Sequence, residues 1–488
     1  MRKLTASLVL GLLLASCGGD ESGAGGAGPA AGTGAGAPGR PEGPISVILV
    51  SLDTCRQDRL TPYGAPARNS PVLDALAHES VTFTDCVSQS SNTGPSHRSL
   101  FTGQYVHRHR HQPGRYMRSP YSWAGLLAEA GYETAAFTGG GFLAEGLGFE
   151  EGFQTYVAKD DNRNKAYRRG FATILPQAER WWRGRDQDKP FFLFLHTYDI
   201  HCPYVVPEKY RAEFDEGYDG DLDLTTFCGR EEFDRYMKEV RPTLPLERFK
   251  ADLDHLRNMY DAGIALTDAQ LGAFLGLLQQ SGALDRSLLI VTSDHGESLG
   301  RRRPYLGHNH LWEEQLKVPL LIRFPGAAFA GTVCEEPVML IDLLPTVLDY
   351  LGLPIPEGVQ GESLMPILEE GKSYGGERLR ISQYQDRLAF RYDTRWKVHV
   401  RQLEDGKSNV KLFDLQNDPA EQHSLFADPD RREEAQQVLD RLVPRFQEWM
   451  NAQKEADARF AGVVIEDAVS EDVAAELRAL GYTEGGDG

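Results

Sequence analysis

Short apolar runs recur along the first two thirds of the chain, and longer stretches with helical spacing lie between them. The runs occupy residues 45–52, 134–139, 191–198, 287–293 and 318–324. Each run is apolar on both faces, which predicts strands that helices cover on each side. Helices are predicted over residues 71–79, 121–130 and 261–281. Strands and helices in alternation are typical of an α/β sheet.

The pattern changes twice further along the chain. Residues 205–250 are charged, contain prolines and show no clear periodicity, which predicts an insertion or a lid-like excursion. Residues 379–415 alternate polar and apolar positions, which predicts a small antiparallel sheet with one solvated face. Residues 431–457 have the spacing of an amphipathic helix, and an acidic tail follows. We therefore divide the body into a main domain (45–375), a C-terminal subdomain (376–460) and a tail (461–488).

The N-terminus has the form of an export signal, because Arg2 and Lys3 precede an apolar stretch over residues 8–15. This stretch is too short to span a bilayer, so we expect residues 1–17 to be cleaved as a signal peptide. The Leu-Ala-Ser-Cys ending resembles a bacterial lipobox, which implies an exported chain anchored at a membrane through lipidated Cys17; an ordinary signal peptide is the alternative. Residues 18–44 are almost all Gly, Ala, Pro and Ser, which predicts a flexible tether.

Composition narrows the class of protein. A chain of 488 residues with 41% hydrophobic residues is not disordered throughout. The 71 acidic residues outnumber the 52 Lys and Arg, which argues against nonspecific nucleic-acid binding. Besides Cys17, the cysteines have no metal-like spacing, and we expect at most one or two disulfides with the pairing left open; they are Cys55, Cys86, Cys202, Cys228 and Cys334. Oligomeric state is also left open.

Three of the apolar runs end in residue types that bind metal ions. Asp53 follows the first run, Asp199 and His201 follow the third, and Asp294 with His295 follows the fourth. Ligands of open α/β sheets bind outside the carboxyl ends of the strands, so these side chains are expected to converge. A single Asp at such a point is more often a helix cap or a turn former.

Two further segments supply candidate chemistry. Thr93 precedes Gly94 and Pro95 at the start of a helix-like run, where free N–H groups favour an anion. Thr93 can also be a simple helix cap, and the two roles are compatible. His308 and His310 lie just before the last run of the main domain, and one of them is expected to face the crevice.

With these residues in these positions, the chain resembles the sulfatase-like branch of the alkaline phosphatase superfamily, from Ile45 to about Asp418. The shared motifs are VILVSLDT, TGPSHRSLFTG, FLHTYDIHCPY, TSDHGESLG, LWEEQLKVPLLIRFPG and DLLPTVLDYLGLP. The resemblance implies an α/β/α sandwich with a large mixed, mostly parallel sheet, a smaller C-terminal sheet and metal-assisted attack on an ester. It also makes residues 45–375 the catalytic domain.

The resemblance implies roles for individual residues. Asp53, Asp294 and His295 match metal ligands, and Thr93 matches the nucleophile, whose oxygen also reaches the metal. His201 and His308 match positions that contact the tetrahedral anion or the leaving group. The second-rank candidates are His97, His196, Asp199 and His310. One ion is favoured over two, because the D-x-H spacing after the third run differs from the D-x-x-x-H of two-zinc relatives.

The nucleophile motif departs from that of true sulfatases, in which a Cys or Ser is oxidised to formylglycine. Here the motif reads Thr93-Gly-Pro-Ser-His97, and threonine has no such route. Carboxylate, imidazole and alkoxide donors together suit Zn or Mn better than Ca. We therefore predict a metal-dependent hydrolase of phosphoesters or phosphonoesters on a small-molecule, glycan-linked or lipid-linked substrate. The alternatives are a sulfatase without formylglycine, a phosphoethanolamine or glycerophosphate transferase, and an inactive binding lipoprotein.

Overall fold

The computed structural model describes residues 43–112, 115–158, 170–228, 230–300, 306–374, 377–403, 406–457 and 463–466. The signal peptide with Cys17, nearly all of the tether and residues 467–488 of the tail lie outside the described residues. Among the described residues, every helix is too short or too polar to cross a membrane.

Helices and strands alternate through the main domain. The helices are α1 (Pro71–His78), α2 (Thr93–Thr102), α3 (Val106–His109), α4 (Trp123–Glu129), α5 (Phe171–Gly184), α6 (Glu208–Phe214), α7 (Arg230–Arg235), α8 (Leu246–Gln280), α9 (Glu313–Leu316), α10 (Leu343–Leu351), α11 (Met365–Glu370) and α12 (Arg432–Asp457). The strands are β1 (Ser46–Leu52), β2 (Val81–Val87), β3 (Arg115–Arg118), β4 (Glu133–Phe137), β5 (Thr155–Val157), β6 (Phe191–Thr197), β7 (Ser287–Thr292), β8 (Ser298–Leu299), β9 (Leu306–Gly307), β10 (Lys317–Arg323), β11 (Thr332–Cys334), β12 (Val338–Met339), β13 (Arg380–Tyr384), β14 (Arg387–Arg391), β15 (Trp396–Gln402), β16 (Ser408–Asp414) and β17 (Val463–Glu466).

Nine strands of the described chain form one large sheet. Its order is β11-β2-β10-β7-β1-β6-β4-β5, and β12 pairs with β2. β10 runs antiparallel to both of its neighbours, whereas the other pairs are parallel. The predicted mixed, mostly parallel sheet is confirmed.

Two hydrophobic cores lie on opposite faces of this sheet, because successive side chains of a strand point in opposite directions. Val47 of β1 belongs to the core that contains Trp123 of α4, and Ile48 belongs to the core that contains Ile264 of α8. The central strands are therefore buried on both faces, which is why they are continuously apolar. The predicted α/β/α sandwich is confirmed.

A second sheet follows the main domain. Strands β13 to β16 pair antiparallel in chain order, as predicted. Helix α12 covers the sheet, where Phe390 and Phe446 stack with ring centroids 4.6 Å apart. The boundary that we place near residue 375 stays a prediction.

The segment over residues 205–250 is more regular than predicted. It contains α6 and α7, and α8 already begins at Leu246 rather than near residue 261. A disulfide between Cys202 and Cys228 joins this segment to the loop after β6. One bridge among the described residues agrees with the expected limit of one or two.

Candidate active site

The candidate residues meet at one edge of the large sheet. Strands β7, β1 and β6 are adjacent and parallel, so their carboxyl ends lie side by side. Asp53 follows β1, Asp294 and His295 follow β7, and His201 lies in the loop after β6. The sheet thereby brings together segments about ninety to 240 residues apart in the chain.

Thr93 is the first residue of α2, and its hydroxyl faces this group. The Thr93 Oγ1 donates to Asp53 Oδ2 at 3.1 Å and lies 3.4 Å from His295 Nε2. The side chain is buried beside these polar groups rather than in a hydrophobic core. Its position at the helix N-terminus adds the partial positive charge of free N–H groups, which favours a bound anion.

Asp53, Asp294 and His295 form a group that fits a divalent cation. Ligand atoms from the three side chains lie within 4.8 Å of one another. Asp53 Oδ1 and Asp294 Oδ2 are buried and have no hydrogen-bond partner among the described residues. His295 Nδ1 donates to the Gly296 carbonyl at 2.9 Å, so its Nε2 is left as the acceptor atom that faces Thr93.

The electrostatics of the carboxylate pair also fit a cation. Burial and the neighbouring Asp294 raise the pKa of Asp53. Burial alone would raise the pKa of Asp294 as well, but the imidazoles of His295, His97 and His196 outweigh it and hold this pKa low. Two buried carboxyl groups at this distance cannot both ionise freely without a positive charge between them. A divalent ion would supply that charge.

Two of the second-rank histidines, His196 and His97, contact Asp53 and Thr93. His196 Nε2 lies 3.1 Å from Asp53 Oδ2. His97 Nδ1 donates to the Thr93 carbonyl at 2.9 Å, and its Nε2 lies 3.0 Å from Ser51 Oγ. Both imidazoles are fully buried, and burial lowers the pKa of each. Through these contacts they hold the Asp53 carboxylate and the Thr93 backbone in place.

His201 and His308 lie together on the other side of His295. Their Nε2 atoms are 3.3 Å apart, and the rings of His308 and His295 have centroids 4.4 Å apart. His308 Nδ1 donates to the Ser91 carbonyl at 3.0 Å, and His201 Nδ1 bonds the Cys202 carbonyl. These backbone contacts direct both Nε2 atoms into the site.

The remaining two candidates are not brought to Thr93. The Asp199 carboxylate accepts from Phe171 N and from Thr197 Oγ1, both at 2.7 Å, so it holds the start of α5. The ring of His310 lies 5.9 Å from that of Trp312. The contacts of Asp199 therefore serve the start of α5, and the expectation of one ion stays a prediction.

Glu297 is a site neighbour that the sequence interpretation missed. Its carboxylate accepts from Tyr204 Oη at 2.9 Å, burial raises its pKa to about 7, and its charge helps raise the pKa of Asp53. Glu297 lies three residues after Asp294, in the DHGES motif, and this proximity to a predicted metal ligand could have identified it.

Known proteins resemble this chain over most of its length. The sulfatase family model matches residues 46–353, and the model described as N-sulphoglucosamine sulphohydrolase, C-terminal, matches residues 304–448. N-acetylglucosamine-6-O-sulfatase of Bacteroides thetaiotaomicron is 23% identical, over 83% of this chain and 87% of its own. The multifunctional alkaline phosphatase superfamily protein PehA of Trinickia caryophylli is 27% identical, over 79% of this chain and 91% of its own.

A solved structure shows the same fold. The phosphonate monoester hydrolase of Agrobacterium radiobacter superposes with a TM-score of 0.66 at 23% identity, over 85% of this chain and 96% of its own. At 23% sequence identity, this similarity shows that the two proteins share a fold.

Proposed function

Given that the chain belongs to the sulfatase family and is an ester hydrolase of the alkaline phosphatase superfamily, we propose that it cleaves phosphoesters or phosphonoesters with Thr93 as nucleophile. The observation that carries the proposal is the Thr93 hydroxyl, 3.1 Å from Asp53 Oδ2 and 3.4 Å from His295 Nε2. Members of this family depend on a divalent metal. Asp53, Asp294, His295 and the Thr93 oxygen would hold it, and Zn or Mn suits these donors better than Ca.

Each residue then has a defined task in the first half of the reaction. When bound, the ion lowers the pKa of the Thr93 hydroxyl and withdraws charge from the ester. The Thr93 proton passes to Asp53 Oδ2, its hydrogen-bond acceptor. Thr93 Oγ1 forms a bond to phosphorus while the bond to the leaving oxygen breaks. His201 and His308 stabilise the equatorial oxygens. Burial lowers the pKa of His308, and the negative charge of a bound ester opposes this shift, so that His308 can give a proton to the leaving oxygen.

The second half regenerates the enzyme. Water gives a proton to the histidine that protonated the leaving oxygen, and its oxygen bonds to phosphorus. The bond between phosphorus and Thr93 Oγ1 breaks, and this oxygen takes back the proton held by Asp53. Phosphorus is favoured over sulfur because metal-assisted hydrolysis of a phosphothreonine is ordinary chemistry, whereas a sulfothreonine would be opened slowly. Sulfatases avoid the slow hydrolysis of such an intermediate because they use formylglycine, which Thr93 cannot form.

Sulfate-ester hydrolysis remains the second candidate, since several relatives are named as sulfatases of glycan or small-molecule esters. A phosphoethanolamine or glycerophosphate transferase is the third, on the strength of the DHGES motif alone. A binding role without turnover is the fourth. The retained set of Asp53, Thr93, Asp294 and His295 argues against the last, because a binding protein has no need of it.

The test is turnover of three esters by the metal-loaded protein: bis-p-nitrophenyl phosphate, p-nitrophenyl phenylphosphonate and p-nitrophenyl sulfate. We expect the two phosphorus esters to react at least about tenfold faster than the sulfate, and Thr93→Ala to lower turnover by about 10³-fold or more. Thr102→Ala is the matched control, since this hydroxyl caps the far end of α2 by bonding the Arg98 carbonyl at 2.6 Å.

Metal dependence completes the test. A chelator should abolish turnover, and Zn or Mn should restore it better than Ca. Preferred turnover of the sulfate would support the second candidate. Absence of bound metal and of turnover on all three esters would support the binding role.

We also propose that the protein is exported and anchored through Cys17, as its N-terminal sequence predicts. Fractionation of cells tests the anchor, because Cys17→Ser should move the protein out of the membrane fraction. Retention of the variant in that fraction would contradict it.

A further inference from the structure

Two short loops carry the candidate groups on one side of the site. The first runs from Asp294 to Ser298, and the second, over residues 306–316, carries His308. The loops pair through β8 and β9, with Ser298 opposite Gly307. This short pairing alone fixes few atoms, so other contacts must set the position of His308 relative to His295.

The side chain of Gln315 makes those contacts. Its Nε2 donates to the Gly307 carbonyl at 3.0 Å and to Ser298 Oγ at 2.9 Å, and its Oε1 accepts from His310 N at 2.8 Å. Gly307 precedes His308, and His310 follows it by two residues. One amide therefore holds the backbone on both sides of His308.

The backbone of Gln315 holds the other loop. Its carbonyl accepts from Gly296 N at 2.8 Å, and the Gly296 carbonyl in turn accepts from His295 Nδ1 at 2.9 Å. A side chain on residue 296 would meet the Glu314 carbonyl at 2.3 Å, so the two loops touch closely here. Gln315 thus contacts both the loop of the metal group and the loop of His308.

Both N–H groups of the amide donate and its oxygen accepts, and the side chain is fully buried. A hydroxyl or carboxylate could not reproduce two donors and one acceptor in these directions. This pattern needs Gln at this position, whereas a residue that only filled space could be any apolar side chain of similar length.

We propose that Gln315 is a positioning residue that sets the place of His308 against His295 and the bound ester. The inference rests on the proposed function, because it takes His308 to contact the anion or the leaving group. Gln315 itself touches no reacting atom. Two of its three side-chain hydrogen bonds hold the backbone on either side of His308, so we expect its effect on turnover to depend on His308. This dependence separates a positioning role from a general contribution to stability.

A double-mutant cycle between Gln315→Met and His308→Ala tests the proposal. Methionine keeps the length and volume of glutamine but makes none of the three hydrogen bonds. We expect Gln315→Met to lower turnover of the best ester by roughly tenfold to a hundredfold, because a displacement of about 1 Å at a catalytic group has that effect. In the His308→Ala background the same change should alter turnover by less than about twofold.

A second readout does not depend on Thr93. The affinity for inorganic phosphate, measured by calorimetry on the metal-loaded protein, should fall in Gln315→Met and show the same coupling to His308. Metal content should be unchanged, because the substitution spares the Gln315 carbonyl that holds Gly296. If Thr93→Ala keeps full turnover, the proposed function fails while the coupling in phosphate affinity can still be measured.

Gln57→Met is the matched control. Gln57 is also buried, and its amide bonds the Phe83 and Val318 carbonyls within the large sheet at 3.4 and 3.2 Å. It should lower the melting temperature without coupling to His308. Equal losses from Gln315→Met in both backgrounds would overturn the proposal. If Gln315→Met does not fold, Gln315→Asn replaces it, and failure of both variants to fold would also overturn a local positioning role.

Discussion

Gly94 leaves the space in which His111 lies beside the nucleophile. A Cβ on residue 94 would meet His111 Nε2 at 2.5 Å and Cδ2 at 2.9 Å. The imidazole cannot easily retreat, because it is buried against Phe149 with ring centroids 5.3 Å apart. The first turn of α2 would have to move instead, and Thr93 would move with it.

We therefore expect Gly94→Ala to lower turnover by at least about tenfold and to destabilise the protein by about 1–3 kcal/mol. Gly276→Ala in α8 is the control, since a Cβ there meets nothing within 4 Å. That change should stabilise the helix by about 0.5–1 kcal/mol. Turnover and thermal melting measure both effects, and unchanged turnover in Gly94→Ala would show that the packing against His111 is loose.

Some residues of the candidate site can be predicted from the sequence, and others cannot. Asp53 and Asp294 follow apolar strands directly, so the rule for strand ends finds them. Glu297 and Gln315 follow no such rule, because each acquires its role from side chains or loops that only the fold brings near. The contact between Gln315 and Gly307 is an example, since it depends on the pairing of β8 with β9.

Among the strands, the fully buried central ones of the large sheet and the alternating ones of the small sheet were predicted, whereas β2 was not. Strand β2 escaped the prediction because Thr82, Thr84 and Asp85 interrupt its apolar positions. Asp85 is tolerated there because Arg380 and Arg391 of the small sheet neutralise it and lower its pKa although burial opposes this. These partners lie about three hundred residues away in the chain, so no local sequence pattern indicates them.

Helix α8 was predicted too short for a different reason. Residues 246–260 are highly charged, and these charges masked an apolar stripe at helical spacing that includes the buried Phe249, Leu253 and Leu256. The charges form pairs along the helix surface, including Lys250 with Glu247 and Arg257 with Asp254. Such pairs each stabilise a helix by a few tenths of a kcal/mol, which apolar periodicity does not register.

The disulfide between Cys202 and Cys228 joins two segments of the main domain and lies next to the candidate site. It closes a loop of sequence separation 26 and fixes Cys202, whose carbonyl bonds His201 Nδ1. Cross-links over loops of this size stabilise a protein by about 3 kcal/mol. We expect Cys228→Ser to lower the free energy of unfolding by about that amount and to lower turnover, because His201 loses a fixed neighbour.

Reductant supplies the comparison. It should lower the melting temperature of the wild type and leave that of Cys228→Ser unchanged. Cys334→Ser, at a cysteine outside any disulfide, should respond to reductant as the wild type does. Equal sensitivity of wild type and Cys228→Ser to reductant would contradict a stabilising role for the bridge.

At the scale of the whole molecule, buried charges join the small sheet to the main domain. Glu313, the first residue of α9, accepts from Lys397 Nζ at 2.9 Å and from Arg391 at 2.8 Å. Glu421 bonds Lys397 at 3.1 Å and His399 at 2.8 Å. The C-terminal subdomain therefore holds the segment over residues 306–316, which carries His308. A change that destabilises the small sheet is expected to displace this segment as well.

This cluster predicts a dependence of stability on pH. Burial alone would raise the pKa of Glu421, but Lys397 and His399 outweigh it and lower that pKa from 4.5 to about 2. A carboxyl pKa that is lower in the folded protein stabilises it fully above the unfolded value of 4.5. The contribution is lost as the pH falls from 4.5 toward 2. We expect Glu421→Gln to destabilise the protein by about 3 kcal/mol at pH 7, because Lys397 loses a buried partner.

The sign of the effect can be checked by melting wild type and Glu421→Gln between pH 7 and pH 3. The two melting temperatures should converge as the pH falls below about 4.5, because protonation of Glu421 in the wild type removes the charge that the variant already lacks. Glu369→Gln on the exposed face of α11 should match the wild type at every pH. A difference between wild type and Glu421→Gln that stays constant across this range would mean that the hydrogen bonds of Glu421, rather than its charge, hold the two sheets together.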